Sequence, residues 1–160
     1  MSGILHAATG VAALGCGLMA GVFFAFSAFV MDGLAGLGST RGMAAMQSIN
    51  RAASSPTILT ALFGTALVCI GLAVWAVAET GQGSGSWLVS GSGVYLVGAI
   101  GVTLARNVPM NEALARVDPE RPEAAGHWDR YLRRWTVWNH VRAVAALAAT
   151  VLLTVGLAEA

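Results

Sequence analysis

Asn139, His140 and Arg142 crowd into one short run, Trp135-Thr136-Val137-Trp138-Asn139-His140-Val141-Arg142, and a second run, Asn107-Val108-Pro109-Met110-Asn111, adds two more amides. An imidazole takes up a proton near neutral pH, amides both donate and accept hydrogen bonds, and a guanidinium is a lasting cation with a planar fork of donors. A histidine set between amide donors and a fixed cation suits general-base chemistry. Gln47 and Asn50 supply further amides from an earlier loop, while Ser27, Asp32 and Glu112 are weaker candidates. Taken singly, several of these residues have a plainer role. Arg142 can reach to lipid phosphates, Asn107 can cap a helix, and Trp135 and Trp138 can sit in an interfacial aromatic belt. Taken together they resist that account, because reaching for phosphate explains an arginine but not a set of amides around a histidine.

The rest of the chain dictates where such a cluster can stand. Charged residues make up 11% of the 160 residues and mean hydropathy is +0.69, whereas a soluble domain carries about 25% charged residues. This is the composition of a membrane protein. Four apolar stretches, residues 4–31, 56–78, 87–105 and 138–157, take up more than half of the chain. Each can cross a hydrocarbon core of about 30 Å as a helix. The expected fold is all-α, an antiparallel four-helix transmembrane bundle forming a single integral membrane domain over residues 1–160. No room remains for a separate soluble catalytic domain, so any chemistry sits on the bundle or its short loops. The first stretch reads as a span rather than a secretory signal, since nothing basic precedes Arg41. All nine basic residues are arginine and the net charge is +1, which leaves no basic excess to hold nucleic acid. Cys16 and Cys69 fall in apolar runs with no Cys-x-x-Cys and read as small buried hydrophobes.

Arginines alternate between connections. Arg41 and Arg51 lie between the first and second stretches, and Arg106, Arg116, Arg121, Arg130, Arg133 and Arg134 between the third and fourth. The Gly/Ser connection at 82–86 and both termini have none. Basic loops stay in the cytoplasm, so a multi-pass cell-membrane protein with both termini outside is expected, and 82–86 becomes a short flexible hairpin outside. That orientation gathers Gln47, Asn50, Asn107, Asn111, Asn139, His140 and Arg142 in the cytoplasmic half. His6 stands nearly a bilayer thickness away, and thirteen residues of helix would put His127 about 20 Å from His140. No tight metal-ligand spacing results.

Small residues recur along the spans at Thr9, Ala13, Gly17, Gly21 and Ala25, at Ala61, Thr65, Cys69 and Ala73, and at Gly98, Gly101 and Ala105, which predicts close helix packing. The two basic loops should carry short amphipathic helices. One starts at Ser39 or Thr40 as N-cap and places Met43, Met46, Gln47 and Asn50 on one face. In the other, Pro109 ends the third span and opens a new helix bearing Asn111, Glu112 and Leu114. After a break at Asp118, Pro119 and Pro122, a helix from Glu123 runs unbroken into the fourth span, with Trp128, Tyr131, Trp135, Trp138 and Arg142 on one stripe.

Four runs, Phe23-Phe24-Ala25-Phe26-Ser27-Ala28-Phe29-Val30-Met31, Met46-Gln47-Ser48-Ile49-Asn50-Arg51, Asn107-Val108-Pro109-Met110-Asn111 and the 135–142 run quoted above, carry a resemblance. Over nearly its whole length the chain resembles the anthrone oxygenase-like family of small four-span membrane proteins. The Asn-x-Pro-x-Asn and Trp-Asn-His-x-Arg elements are the specific parts. Asp32 departs from a common Pro and Ala143 from a common Thr. The resemblance implies oxidation of a tricyclic anthrone to an anthraquinone by dioxygen, in polyketide pathways, with no flavin or haem cofactor. It implies His140 as base, with Asn107, Asn111, Asn139 and Arg142 as donors to the enolate and phenol oxygens. Phe26, Trp135 and Trp138 would clasp the rings, with Gln47 and Asn50 also binding substrate. The partners implied are a hydrophobic aromatic, dioxygen and the lipid bilayer; association with a second copy of the chain stays open. Two other classes stay open too. One is a non-catalytic small-molecule binder or accessory subunit. The other is a metal-dependent oxygenase drawing on His127, His140, Glu112 and Asp32.

Overall fold

The computed structural model describes residues 3–78 and 85–159, and every regular element among them is helical. In chain order they are α1 (Gly3–Gly36), the shorter α2 (Ser39–Ala52), α3 (Pro56–Ala78), α4 (Gly85–Ala115) and α5 (Ala124–Ala158). All but α2 are long and apolar enough to cross a membrane. Each of these spans packs beside the next, and α5 closes the ring against α1, giving the antiparallel bundle that hydropathy demands. Residues 82–84 of the expected Gly/Ser hairpin lie outside the described residues. Gly85 and Ser86 are not part of a flexible link but open α4, and Trp87 Nε1 ties that end to Oε2 of Glu159, the residue that caps α5, at 2.7 Å.

Small residues let the spans approach closely. A Cβ on Gly15 would collide with the Thr65 side chain, and one on Gly98 with Ala145. Not every small residue lies at such a contact, for Gly21 has nothing within 4 Å of its Cβ position. Thr9, Cys16, Cys69 and Leu153 are wholly buried in the resulting core. A second apolar cluster, built on Met31, Met43, Met46, Leu114, Trp128 and Trp135, caps the bundle at the arginine-bearing end. Gly38, at φ +78°, turns the chain from α1 into α2, a conformation that needs no Cβ. Gly38, rather than Ser39 or Thr40, is therefore the N-cap, and it offers no side-chain bond.

Pro109 does not end the third span, as α4 runs through it to Ala115. A proline inside an α-helix lacks a donor, and its ring presses on the carbonyl four residues back. Here the preceding turn, Thr103–Asn107, is π-helical, and the Val108 N–H bonds to Thr103 O five residues back. The wider turn makes room for the ring. Further π turns occupy Phe26–Val30, Thr60–Gly64 and Tyr95–Gly101. Such turns loosen the backbone ladder and often mark functional sites. Two carbonyls in or beside them are taken up by neighbouring spans: Tyr95 Oη donates to Leu62 O at 3.1 Å and Asn139 Nδ2 to Phe23 O at 2.7 Å.

Candidate functional site

The inner face of α5 is read at i+3 and i+4 spacing through Trp128, Tyr131, Trp135, Asn139 and Arg142, all of them buried. Trp138 falls off this face. It is half-buried, with the Arg106 guanidinium 4.9 Å from its ring.

Arg142 is 6% exposed. Its Nη2 donates to Asn139 Oδ1 at 2.7 Å and its Nη1 to Thr103 Oγ1 at 3.2 Å, while Nε is buried with no partner. The guanidinium lies 4.3 Å from the Phe23 ring centroid and 5.2 Å from that of Trp135. No carboxylate neutralises it: among the described residues the ion pair found is Arg121 with Glu123 at the surface, 3.8 Å apart. Taking a cation out of water costs several kcal/mol. Two aromatic faces return about 2 kcal/mol each in a desolvated site, and two hydrogen bonds from the charged group add about 1.5–3 kcal/mol each. Nε is the donor left over for an incoming acceptor.

The surrounding amides are oriented by their own partners. Asn139 gives its oxygen to Arg142, so its Nδ2 turns the other way and donates to Phe23 O and, at 2.7 Å, to Ser27 Oγ. Ser27 Oγ in turn lies 2.6 Å from His140 Nδ1. Asn111 Oδ1 accepts from Tyr131 Oη at 2.9 Å and from Trp135 Nε1 at 2.8 Å. That leaves the Asn111 Nδ2 donors without a protein acceptor among the described residues. Tyr131 stacks between Trp128 and Trp135, at centroid distances of 5.8 and 6.1 Å, and this holds the aromatic wall in place.

These groups surround a cavity of about 190 Å³. α1 contributes Met19, Val22, Phe23 and Phe26; α2 contributes Met46 and Asn50; α3 contributes Ile58, Leu62 and Phe63; α4 contributes Thr103, Val108 and Asn111; and α5 contributes Trp135, Asn139 and Arg142. Ala53, Ser54, Leu59 and Phe63 are exposed where they meet it, so its mouth lies between the end of α2 and the start of α3, at an apolar surface. A cavity of roughly 150 Å³ takes up benzene, so this one has room for about one aromatic ring.

A family model described as anthrone oxygenase matches residues 55–152, more than half of the chain. The chain belongs to the anthrone oxygenase family. No curated protein and no solved structure matches it. The stretch matched by the anthrone oxygenase model holds the α4 and α5 site residues; Phe26, Gln47 and Asn50 precede it.

In this anthrone oxygenase family member, the fold brings Phe26, Asn50, Asn111, Trp135, Asn139 and Arg142 to the cavity wall. It does not bring Gln47, Asn107, Trp138 or His140 there. Gln47 spends its Nε2 on the carbonyls of Leu114 and Val117, both at 2.9 Å, and so pins α2 to the end of α4. Asn107 is buried behind the wall, with Nδ2 on Trp135 O at 3.4 Å and Oδ1 unpartnered. His140 is exposed and is joined to the cavity through Ser27 and Asn139. Sequence reasoning missed Thr103, Phe23 and the α3 residues. Thr103 left a faint signal, a hydroxyl one turn before Asn107; Leu62 and Phe63 left none, being ordinary apolar residues of a span. Among the described residues, no three His, Cys, Asp or Glu side chains converge as metal ligands would.

Proposed function

We propose that this protein oxidises an anthrone-like polycyclic aromatic to the quinone with dioxygen, holding the substrate as its enolate against Arg142. The observation that carries the reading is the buried guanidinium, free of any carboxylate, facing a cavity walled by Phe23, Phe26 and Trp135. An anthrone carries a ketone across the ring from an acidic methylene. Loss of one methylene proton puts negative charge on the ketone oxygen, where Arg142, the Asn111 amide and Thr103 offer donors in a site of low dielectric. Family membership supports an oxygenase role, and the apolar mouth suits a lipid-soluble substrate arriving from the bilayer.

The electron count closes on substrate and dioxygen alone. The methylene carbon loses two hydrogens and becomes a carbonyl. One oxygen atom enters that carbonyl, the other leaves with the two hydrogens as water, and the carbon's four electrons reduce the dioxygen fully. The proton's destination is the second part of the reading. No carboxylate or imidazole lines the cavity among the described residues, so we assign proton transfer to the Ser27–His140 pair. Ser27 stands behind Asn139 rather than on the cavity wall, so a water admitted beside Asn139 takes the proton and hands it to Ser27, which passes its own to His140 Nδ1. The basic loops are proposed to face the cytoplasm, with both termini outside.

The same lack of a base on the cavity wall favours a second reading, a protein that binds the aromatic without turning it over. Oxygen uptake by the detergent-purified protein with a simple anthrone, corrected for spontaneous autoxidation, separates the two. The oxygenase reading expects uptake that saturates with the anthrone and yields one quinone per dioxygen. Quenching of tryptophan fluorescence by the anthrone with no uptake above background would leave the binding protein standing.

A further inference from the structure

The α4–α5 connection holds a second concavity that the proposed chemistry does not use. Where the end of α4 and the start of α5 diverge they leave a groove of about 170 Å³. Its floor is apolar, from Met110, Leu114 and Val117, and its rim is His127, Arg130 and Arg134, which share one face of α5. No carboxylate lines it. The neighbouring surface hollow is different: there Arg116 and Arg121 meet Asp118 and Glu123, and the charges compensate one another. The groove is thus an uncompensated cationic rim over an oily floor, and Tyr131 separates it from the cavity around Arg142.

Its depth decides what can reach it. Taking the crossing part of α5 to begin at Trp138, as the expected span 138–157 has it, at 1.5 Å per residue Arg134 stands about 6 Å and Arg130 about 12 Å below the hydrocarbon edge. Headgroups occupy roughly 5–8 Å on each side of the core. On that placement Arg134 lies at the level of the lipid phosphates and Arg130 about 4 Å beyond them, a gap that its long side chain can span. We propose that this groove is a binding site for an anionic phospholipid, its phosphate held between Arg130 and Arg134 and its acyl chain leaving over Met110 and Leu114. A free phosphate ion would use the rim and waste the floor. A zwitterionic lipid would bring its own cation against two guanidinium groups.

The test uses the full chain reconstituted in phosphatidylcholine vesicles containing a minority of phosphatidylglycerol, then extracted in mild detergent, with retained lipid counted per protein. The wild type should retain phosphatidylglycerol selectively. Arg130→Gln/Arg134→Gln should lose about tenfold in that retention, while Arg41→Gln/Arg51→Gln, an equal loss of charge at exposed positions of α2, should retain it. Millimolar inorganic phosphate should displace none. Equal loss in both double variants would reduce the effect to bulk charge, and displacement by inorganic phosphate would show an anion site with no use for a lipid. Equal retention of phosphatidylcholine would also overturn the proposal. Folding is followed by helical circular dichroism, and Met110→Glu, which places a carboxylate on the floor and leaves both arginines, should release the lipid as well.

Discussion

The half of the bundle remote from the arginine-bearing loops and the half beside them share the same spans and pack them in opposite ways. In the remote half and middle, contact is made by leaving side chains out: Gly15 against Thr65, Gly98 against Ala145, Gly91 against Leu153. The result is a dry core in which even Cys16 and Cys69 are wholly buried. In the other half large groups hold the spans apart. Phe23, Phe26, Trp135 and Arg142 stand around open volume, and the π turns at Phe26–Val30, Thr60–Gly64 and Thr103–Asn107 bend the walls to fit. What the difference teaches is that stability and the proposed chemistry are separable here. Changes in one half should move unfolding, and changes in the other should move turnover.

The largest effect should come from His140→Ala, with turnover down about 10²- to 10⁴-fold while the aromatic still binds. Single-turnover oxygen uptake alongside fluorescence titration measures both quantities. Unchanged turnover would strip the Ser27–His140 pair of its role and leave the cavity as the whole machinery. Arg142→Leu comes next. Removing one preorganised oxyanion donor typically costs about 10²–10³ in turnover, yet the variant should unfold no earlier than wild type, because a buried, uncompensated cation has been replaced by an apolar side chain. Arg142→Lys should also turn over poorly, since a flexible ammonium cannot reproduce the fork that spans Thr103 and Asn139. Earlier unfolding of Arg142→Leu would show that the guanidinium holds the bundle together, and so break the comparison.

In the dry half the effects are smaller and fall on stability. Gly15→Val and Gly98→Val force a side chain into Thr65 or Ala145, an overpacking expected to cost about 1–3 kcal/mol. Gly21→Ala meets nothing and should be neutral or slightly stabilising. Denaturant unfolding in detergent ranks the three variants, and the folded fraction of each should turn over at the wild-type rate. Smallest of all should be the effect of chelators, because the proposed reaction draws its electrons from the substrate. Loss of uptake on chelation, restored by one added metal, would replace the enolate mechanism with a metal-dependent oxygenase.

Sequence alone placed the spans, the unbroken helix through Trp128 and Trp135 into the membrane, and the crowding of amides with Arg142 at one end. Those features follow from local composition set against a bilayer of known thickness, and no neighbour is needed to decide them. It also named Phe26, Asn50, Asn111, Trp135, Asn139 and Arg142, which the fold gathers at one cavity. Only the tertiary structure decided which way each helix turns. A rotation of α5 that buries Asn139 and Arg142 sends His140 outward, because residues one apart on a helix stand about 100° from each other; adjacency in sequence concealed that divergence. The passage of α4 through Pro109 was equally hidden, since a π turn depends on neighbouring spans to hold the loosened backbone. Gln47, an amide among amides in the sequence, became a strut because the end of α4 happened to offer it two carbonyls. Composition set against the bilayer made the helices; their mutual rotation, fixed by packing, divided the polar residues between wall, strut and surface.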